Sequence, residues 1–420
     1  MKVNRLDVLV YGPTFGAIAL FAYLVGTGRH STVSGLLVLG VAAWVIFAAP
    51  LRVVVWVAGA GALVAPTTWP VIASAAGVDL YVGDGLLLVA GVAALVRRKR
   101  GLWLGMLGLV AAIFALVLVR SDLVGVIAFG RIIAPVVVLL LVAWVTPRGY
   151  DFWRDFRWGA VVVLASIPLT DGLAASRWTS IAGGPNETAL IAAVALVLGF
   201  THKASLWRYG LILAGAAALV GTSGIAGTVG AVAGVIVYSV SSRGLHLGKG
   251  SPIVALWLIL TAVFVVPLVR PDMATSVAAH VFQARAFVEI VLGGDPFFGA
   301  GWANVHVSAF TGSDILGLHN VYLDVMAFTG LIGSLVFAAI LVVTWRQGDV
   351  VARSVLAVWL VWVNTTGAFP GVTWGVLGLI LAAVACTRSD QVAEERDDQA
   401  LRGAGRRRVD ADLDHAASGR

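Results

Sequence analysis

The chain has 420 residues, 60% of them hydrophobic and 12% charged, with a formal net charge of +7. A soluble domain of that size needs far more charge to cover its surface, so the composition excludes an ordinary soluble protein. It predicts an all-α, polytopic helical membrane protein instead. One cysteine, Cys386, excludes an intramolecular disulfide and a thiolate metal cluster, and reads as a small packed hydrophobe. The positive charge is not a nucleic-acid signal, because most basic residues fall in short loops and the tail, where topology explains them.

In chain order, apolar runs suited to crossing ~30 Å of hydrocarbon cover 8–26, 33–49, 52–66, 80–96, 101–119, 123–145, 158–175, 186–202, 208–221, 224–241, 252–269, 321–345, 353–369 and 371–387. The first follows Lys2 and Arg5, as in a signal peptide, but no small-x-small cleavage site follows and more spans do. It is read as a retained span. The third is short and reads as a separate span, a re-entrant segment or a continuation of the second. About 12–14 transmembrane helices are expected.

Orientation follows from Lys and Arg in short loops. With the N-terminus inside, the cytoplasmic side receives Lys2, Arg5, Arg52, the Arg97-Arg98-Lys99-Arg100 cluster, Arg148, Arg154, Arg157, Lys203, Arg208, Arg243, Lys249, Arg346 and Arg353. The outer side receives only Arg29, Arg120, Arg177, Arg270 and Arg285. Residues 1–387 therefore read as a bundle in a bacterial cytoplasmic (inner) membrane with both termini cytoplasmic. The tail 388–420 mixes Arg with Asp and Glu, lacks apolar periodicity and is expected to be disordered.

One connection departs from the rest: residues 270–320 form a long outward segment, and long loops in compact bundles are usually functional. Ser276 to Leu292 has helical spacing, with Arg285 and Glu289 one turn apart, and Gly293-Gly294-Asp295-Pro296 ends that helix. The loop re-enters at Leu318-His319-Asn320-Val321-Tyr322-Leu323-Asp324, followed by Gly330-Leu331-Ile332-Gly333. Asn320 is a plausible N-cap, which sets His319 beside the positive end of a helix dipole and disfavours imidazolium. A neutral imidazole there can accept a proton from a hydroxyl; the alternative is an interfacial hydrogen-bonding histidine. Gly330 and Gly333 read as a close-packing seam between helices.

His319-Asn320, nine residues, Gly330, two residues and Gly333 together resemble the signature of the O-antigen ligase family, which includes related polysaccharide polymerases and O-linked oligosaccharyltransferases. Arg285 followed by Asp295-Pro296-Phe297-Phe298-Gly299-Ala300-Gly301 is similar to the family's arginine and Pro-x-x-Gly-x-Gly turn. Arg177 with Gly184-Pro185-Asn186-Glu187 resembles its arginine and Pro-Asn pair before a span. The likeness covers roughly residues 160–345. One feature departs: where members often carry Ser-Arg in a short outer turn, this chain reads Val220-Gly221-Thr222-Ser223-Gly224, with Thr222 in the arginine's place.

The resemblance implies transfer of a glycan from an undecaprenyl-diphosphate donor to a hydroxyl of a glycan, lipid or protein acceptor, outside the membrane, without metal or cofactor. His319 and Arg285 would be catalytic, with Arg177, Asn186, Asn320, Asp324 and Glu289 binding substrate. The chemistry suits these residue types, because a diphosphate leaving group needs cationic compensation and arginine presents a fixed fork of donors to phosphate oxygens. Arg270 is a third candidate for that work, or a simple anchor at a span end. Other readings stay open: Arg285 paired with Glu289, Arg177 interfacial, Glu187 a dipole partner, Asp324 orienting His319 or facing a polar cavity. Arg131, inside the sixth span, is an intramembrane charge without an assigned partner. A lipid-linked polysaccharide polymerase, a transporter or flippase, and a catalytically lapsed scaffold are the competing functions.

Overall fold

Long stretches of Ala, Leu and Val, broken only at Pro, Gly and polar clusters, favour helices whose backbone polar groups are satisfied internally. The computed structural model describes residues 32–63, 71–75, 78–97, 123–147, 150–170, 177–202, 206–222, 224–242, 285, 287–289, 295–301, 306–308, 314–316, 320–365 and 372–386. Its elements are α1 (Thr32–Phe47), α2 (Leu51–Leu63), β1 (Val71–Ala75), β2 (Val78–Tyr81), α3 (Val82–Val96) and α4 (Leu123–Val145). They continue with α5 (Phe152–Ala165), α6 (Pro185–Thr201), α7 (Leu206–Thr222) and α8 (Ile225–Ser242). After the long loop come β3 (His306–Ser308), β4 (Asp314–Leu316), α9 (Val321–Gln347), α10 (Val350–Trp362) and α11 (Val372–Cys386). The architecture is helical, with β1–β2 and β3–β4 as two short antiparallel pairs.

Helix starts use the expected chemistry. Asp151 accepts from the Arg154 N–H at 2.9 Å, and Asp349 accepts from the Ala352 N–H at 2.7 Å. Helix α6 is the hub. It is apolar all round and packs against α5, α7, α8 and α10, so Thr188 to Ala195 and Val197 to Gly199 are all buried. Small residues set the spacing: a Cβ on Gly215 of α7 would meet the Ala192 carbonyl at 2.7 Å, and one on Gly234 of α8 would meet Val197 and Val358 at 2.7 Å.

Packing sorts the loops to two ends of the bundle. At one end Arg52 meets Asp155, Arg97 donates to the Val45 carbonyl, the Cys386 thiol reaches the Ala143 carbonyl, and Arg353 donates to the Trp345 carbonyl. At the other end Trp178 pairs with Gly221, Trp362 with Asn186, and Asn320 with Asn364. Among the described residues, Arg52, Arg97, Arg154, Arg157, Arg208, Arg346 and Arg353 belong to turns of the first end, and Arg177 to the second.

Most predicted spans match observed helices within a few residues. The second and third are separate helices, divided at Pro50. The seventh differs, because α5 starts six residues earlier at Phe152 and stops at Ala165, before a short 3-10 turn over Ile167–Leu169. Its Asp151 cap and a Trp/Phe face buried at Phe152, Trp153 and Phe156 start it in what reads as a polar loop. The predicted spans 8–26, 101–119 and 252–269, the tail 388–420 and most of the loop 270–320 lie outside the described residues. Among the described residues, Ile225–Ser242 and Val321–Gln347 are long and apolar enough to cross a membrane, and shorter apolar helices of 13–17 residues accompany them.

Helix α9 overturns the reading of Gly330 as a seam between helices. Gly330 has φ +65° and ψ −165°, so α9 is two helices meeting at a break. The turn Asp295–Gly301 fits into it. The Ala300 N–H donates to the Ala327 carbonyl at 2.8 Å and the Gly301 N–H to the Phe328 carbonyl at 3.1 Å. In return the Leu331 N–H donates to the Pro296 carbonyl at 2.9 Å and the Ile332 N–H to the Phe297 carbonyl at 3.2 Å. The loop thus supplies partners for groups that the break removes from the helical ladder. A Cβ on Gly330 would stand 2.3 Å from the Phe297 carbonyl oxygen, and Gly299 (φ +74°) abuts the same break. Both positions demand glycine.

Candidate functional site

Among the described residues, several polar groups at the bundle end opposite the arginine-rich turns are joined in a path by hydrogen bonds and the end of α10. It begins at α9. Asn320 is the N-cap, its side-chain oxygen accepting from the Tyr322 N–H at 3.0 Å and the Leu323 N–H at 3.2 Å. Its side-chain amide donates to the Asn364 carbonyl at 3.2 Å, and the Tyr322 hydroxyl donates to the Leu360 carbonyl at 3.0 Å. Two bonds therefore tie the start of α9 to the end of α10, where the Leu360 carbonyl also accepts from the Asn364 side-chain amide at 2.9 Å. Asp324, one turn into α9, is fully buried. His319 lies outside the described residues.

From α10 the path crosses to α6. The Trp362 indole N–H donates to the Asn186 carbonyl at 3.0 Å. Asn186 follows Pro185, which takes the first helical position where no N–H is needed. Its exposed side chain accepts from an Arg177 terminal nitrogen at 3.2 Å, while Arg177 Nε donates to the Thr222 carbonyl at 2.8 Å. The Glu187 carboxylate lies against the backbone amides of Gly184 and of its own residue, with Arg177 close enough to act on it electrostatically. That is the dipole-partner geometry.

Arg177, Asn186 and the departed position Thr222 thus meet at one point. Thr222 is buried, its hydroxyl turned back to the Leu219 carbonyl and its own carbonyl turned to Arg177. Trp178 supports the arrangement: its N–H donates to the Gly221 carbonyl at 3.0 Å, and its ring fills the space a Cβ on Gly221 would need. The site residues Arg285 and Glu289 form an exposed i,i+4 pair at 3.3 Å, with 80% and 68% of their side chains accessible. Such pairs contribute little to stability, so this is a solvated loop helix. Arg131 belongs to α4, and Arg270 lies outside the described residues.

Sequence reasoning missed Trp362 and Asn364, which carry the path between α9 and α6. The signal available was a Trp and an Asn closing an apolar helix, residue types that keep a polar tip satisfied at a helix end. It also missed the insertion of the Pro296 turn at Gly330, which joins segments thirty residues apart and leaves no local periodicity.

No family model matches the chain, and no curated protein matches it.

Proposed function

We propose that the chain is a multi-pass cytoplasmic-membrane glycosyltransferase of the O-antigen ligase-like kind, moving a glycan from an undecaprenyl-diphosphate donor to an acceptor hydroxyl on the outer face. The observation that carries the reading is the meeting of Arg177, Asn186 and the Thr222 turn at the bundle end opposite the arginine-rich turns. The Arg177–Asn186 element of the likeness and the Thr222 turn where it departs, far apart in sequence, share one path there with the capped start of α9. The uneven distribution of arginines between the two ends agrees with an inside-positive orientation that sets this path outside.

In this reading Arg177 takes over the diphosphate contact that the absent arginine at Thr222 would make. Neutral oxygens at Thr222 and Asn186 orient its guanidinium beside the Glu187 carboxylate, and an oriented cation in a water-poor site stabilises a departing diphosphate by several kcal/mol. His319 removes the acceptor proton as the hydroxyl attacks the anomeric carbon, and the glycosidic bond to the diphosphate breaks with its electron pair leaving on phosphate oxygen. A positioned base contributes about 10²–10⁴-fold to such a step. A transporter reading draws on the break in α9, since discontinuous helices line substrate sites in transporters. Amides and carbonyls at this break are committed to the Asp295–Gly301 turn, which favours the enzyme reading.

The test is transfer by purified protein from an undecaprenyl-diphosphate glycan to an acceptor, together with surface-glycan analysis after gene deletion. Deletion should leave lipid-linked glycan outside the membrane. Accumulation on the cytoplasmic face would mark a flippase and end this reading. His319→Ala should abolish transfer while donor binding stays nearly unchanged, and His319→Arg should not rescue it. Activity in His319→Arg would move the histidine to the phosphate ligands. Reporter fusions at Lys249 and Ser308 should report opposite sides, and a shared side would remove the topology on which the site depends.

A further inference from the structure

Two tryptophans of α10 make the same kind of bond to different places. The Trp359 indole donates to the Thr373 carbonyl at 2.7 Å, joining α10 to the start of α11. The Trp362 indole, three residues on, donates to the Asn186 carbonyl at 3.0 Å, joining α10 to the start of α6. Both side chains are buried, at 0% and 1% exposure. Only the second bond ends on a residue that itself holds an arginine.

We infer that Trp362 is a positioning residue that sets the place of Arg177 by fixing the backbone of Asn186. The argument follows the bonds. Asn186 is exposed at its side chain, so nothing in the core immobilises the amide that Arg177 uses. What fixes it is its backbone at the second position of α6, where Pro185 supplies no N–H and the Gly184 cap offers no side-chain bond. An indole N–H from a fully buried ring is a rigid donor, because the ring has two torsions and both are set by packing. The same last turn of α10 accepts from Asn320 and Tyr322 at α9. Trp362 therefore fixes the distance between the arginine and the start of α9. On the proposed function, which this inference builds upon, Arg177 is the diphosphate ligand, and small errors in where such a ligand stands slow reactions.

The comparison of Trp362→Phe with Trp359→Phe in full-length protein tests this. Each variant keeps an aromatic ring and loses one indole donor, so each should lower thermal stability by a similar amount. Hydrogen exchange across residues 178–188 should quicken about threefold to tenfold in Trp362→Phe, the effect of one lost hydrogen bond, and stay at the wild-type rate in Trp359→Phe. Equal exchange in the two variants overturns the inference. Affinity for undecaprenyl diphosphate, the probe for the donor, should weaken in Trp362→Phe and not in Trp359→Phe. Equal affinities in two variants that bind the probe also overturn it. An exchange contrast between the two variants, with wild-type protein that binds no probe, would leave Trp362 its positioning role and remove the proposed function.

Discussion

The two ends of the bundle hold arginine with different sets of partners. At the arginine-rich end Asp155, buried at 6% side-chain exposure, pairs with Arg52 at 3.4 Å and Arg154 at 3.7 Å and accepts from the Tyr150 hydroxyl. Arg157 pairs with Asp151 at 4.0 Å. Burial and the Asp155 carboxylate push the Tyr150 phenol far above its usual range, so it stays a donor at any physiological pH. Carboxylates compensate part of the charge there, while Arg97 and Arg353 donate to the carbonyls of Val45 and Trp345. At the opposite end Arg177 donates to a backbone carbonyl and a carboxamide, with the Glu187 carboxylate close enough to act on it electrostatically. The first end thus gathers several arginines around shared carboxylates, whereas Arg177 is oriented mainly by directed neutral oxygens.

The sharpest break in this comparison comes from Gly330. Gly330→Ala places a Cβ against the Phe297 carbonyl at a left-handed φ, and should cost about 3 kcal/mol or more of stability. Thermal unfolding of the purified variant checks it; a melting temperature equal to wild type would mean the turn does not need the break. Gly59→Ala, with open space around it, is the control.

Asp155→Asn should come next, at about 2–3 kcal/mol, since it removes the negative charge and one of the two acceptor oxygens of a mostly buried cluster. Its loss should appear in thermal stability and leave donor affinity unchanged. Reduced donor affinity at constant stability would mean that the two ends do not divide labour as described.

Arg177→Ala should act in the reverse sense, lowering donor affinity at least about tenfold with little change in protein abundance, while Arg177→Lys restores charge without the fork. Arg285→Ala should have the smaller functional effect of the two, because its partner Glu289 and its surroundings are solvent-exposed. Wild-type turnover in the Arg177→Ala, Arg285→Ala double variant would exclude both from the diphosphate.

The smallest effect is expected at Asn320. Asn320→Ala removes an N-cap at about 1 kcal/mol, and Asn320→Asp should keep most of it. Titration of unfolding for the two variants separates the cap from the bond to Asn364, which Asp cannot donate.

Much of the fold was legible because it rests on local rules. Apolar length located most helices of the described residues within a few positions, α5 excepted, and Asn320 announced its cap by residue type and place. Arginine placement separated the two ends, since each turn's charge is a local property. Arg177, Asn186 and Thr222 could each be marked as a candidate from its own short motif.

Their assembly was not legible. Three facts depend on segments distant in the chain: that Thr222 offers its carbonyl to Arg177, that Trp362 reaches Asn186, and that the Asp295–Gly301 turn enters α9 at Gly330. Apolar helices carry little record of which neighbour they meet, because Leu, Val and Ala pack against many surfaces alike. The sequence by itself determined where helices lie and which end of each carries charge. Tertiary structure decided which helix ends share hydrogen bonds, because a carbonyl freed at a helix terminus, or a break at a positive-φ glycine, takes the donor that packing delivers to it.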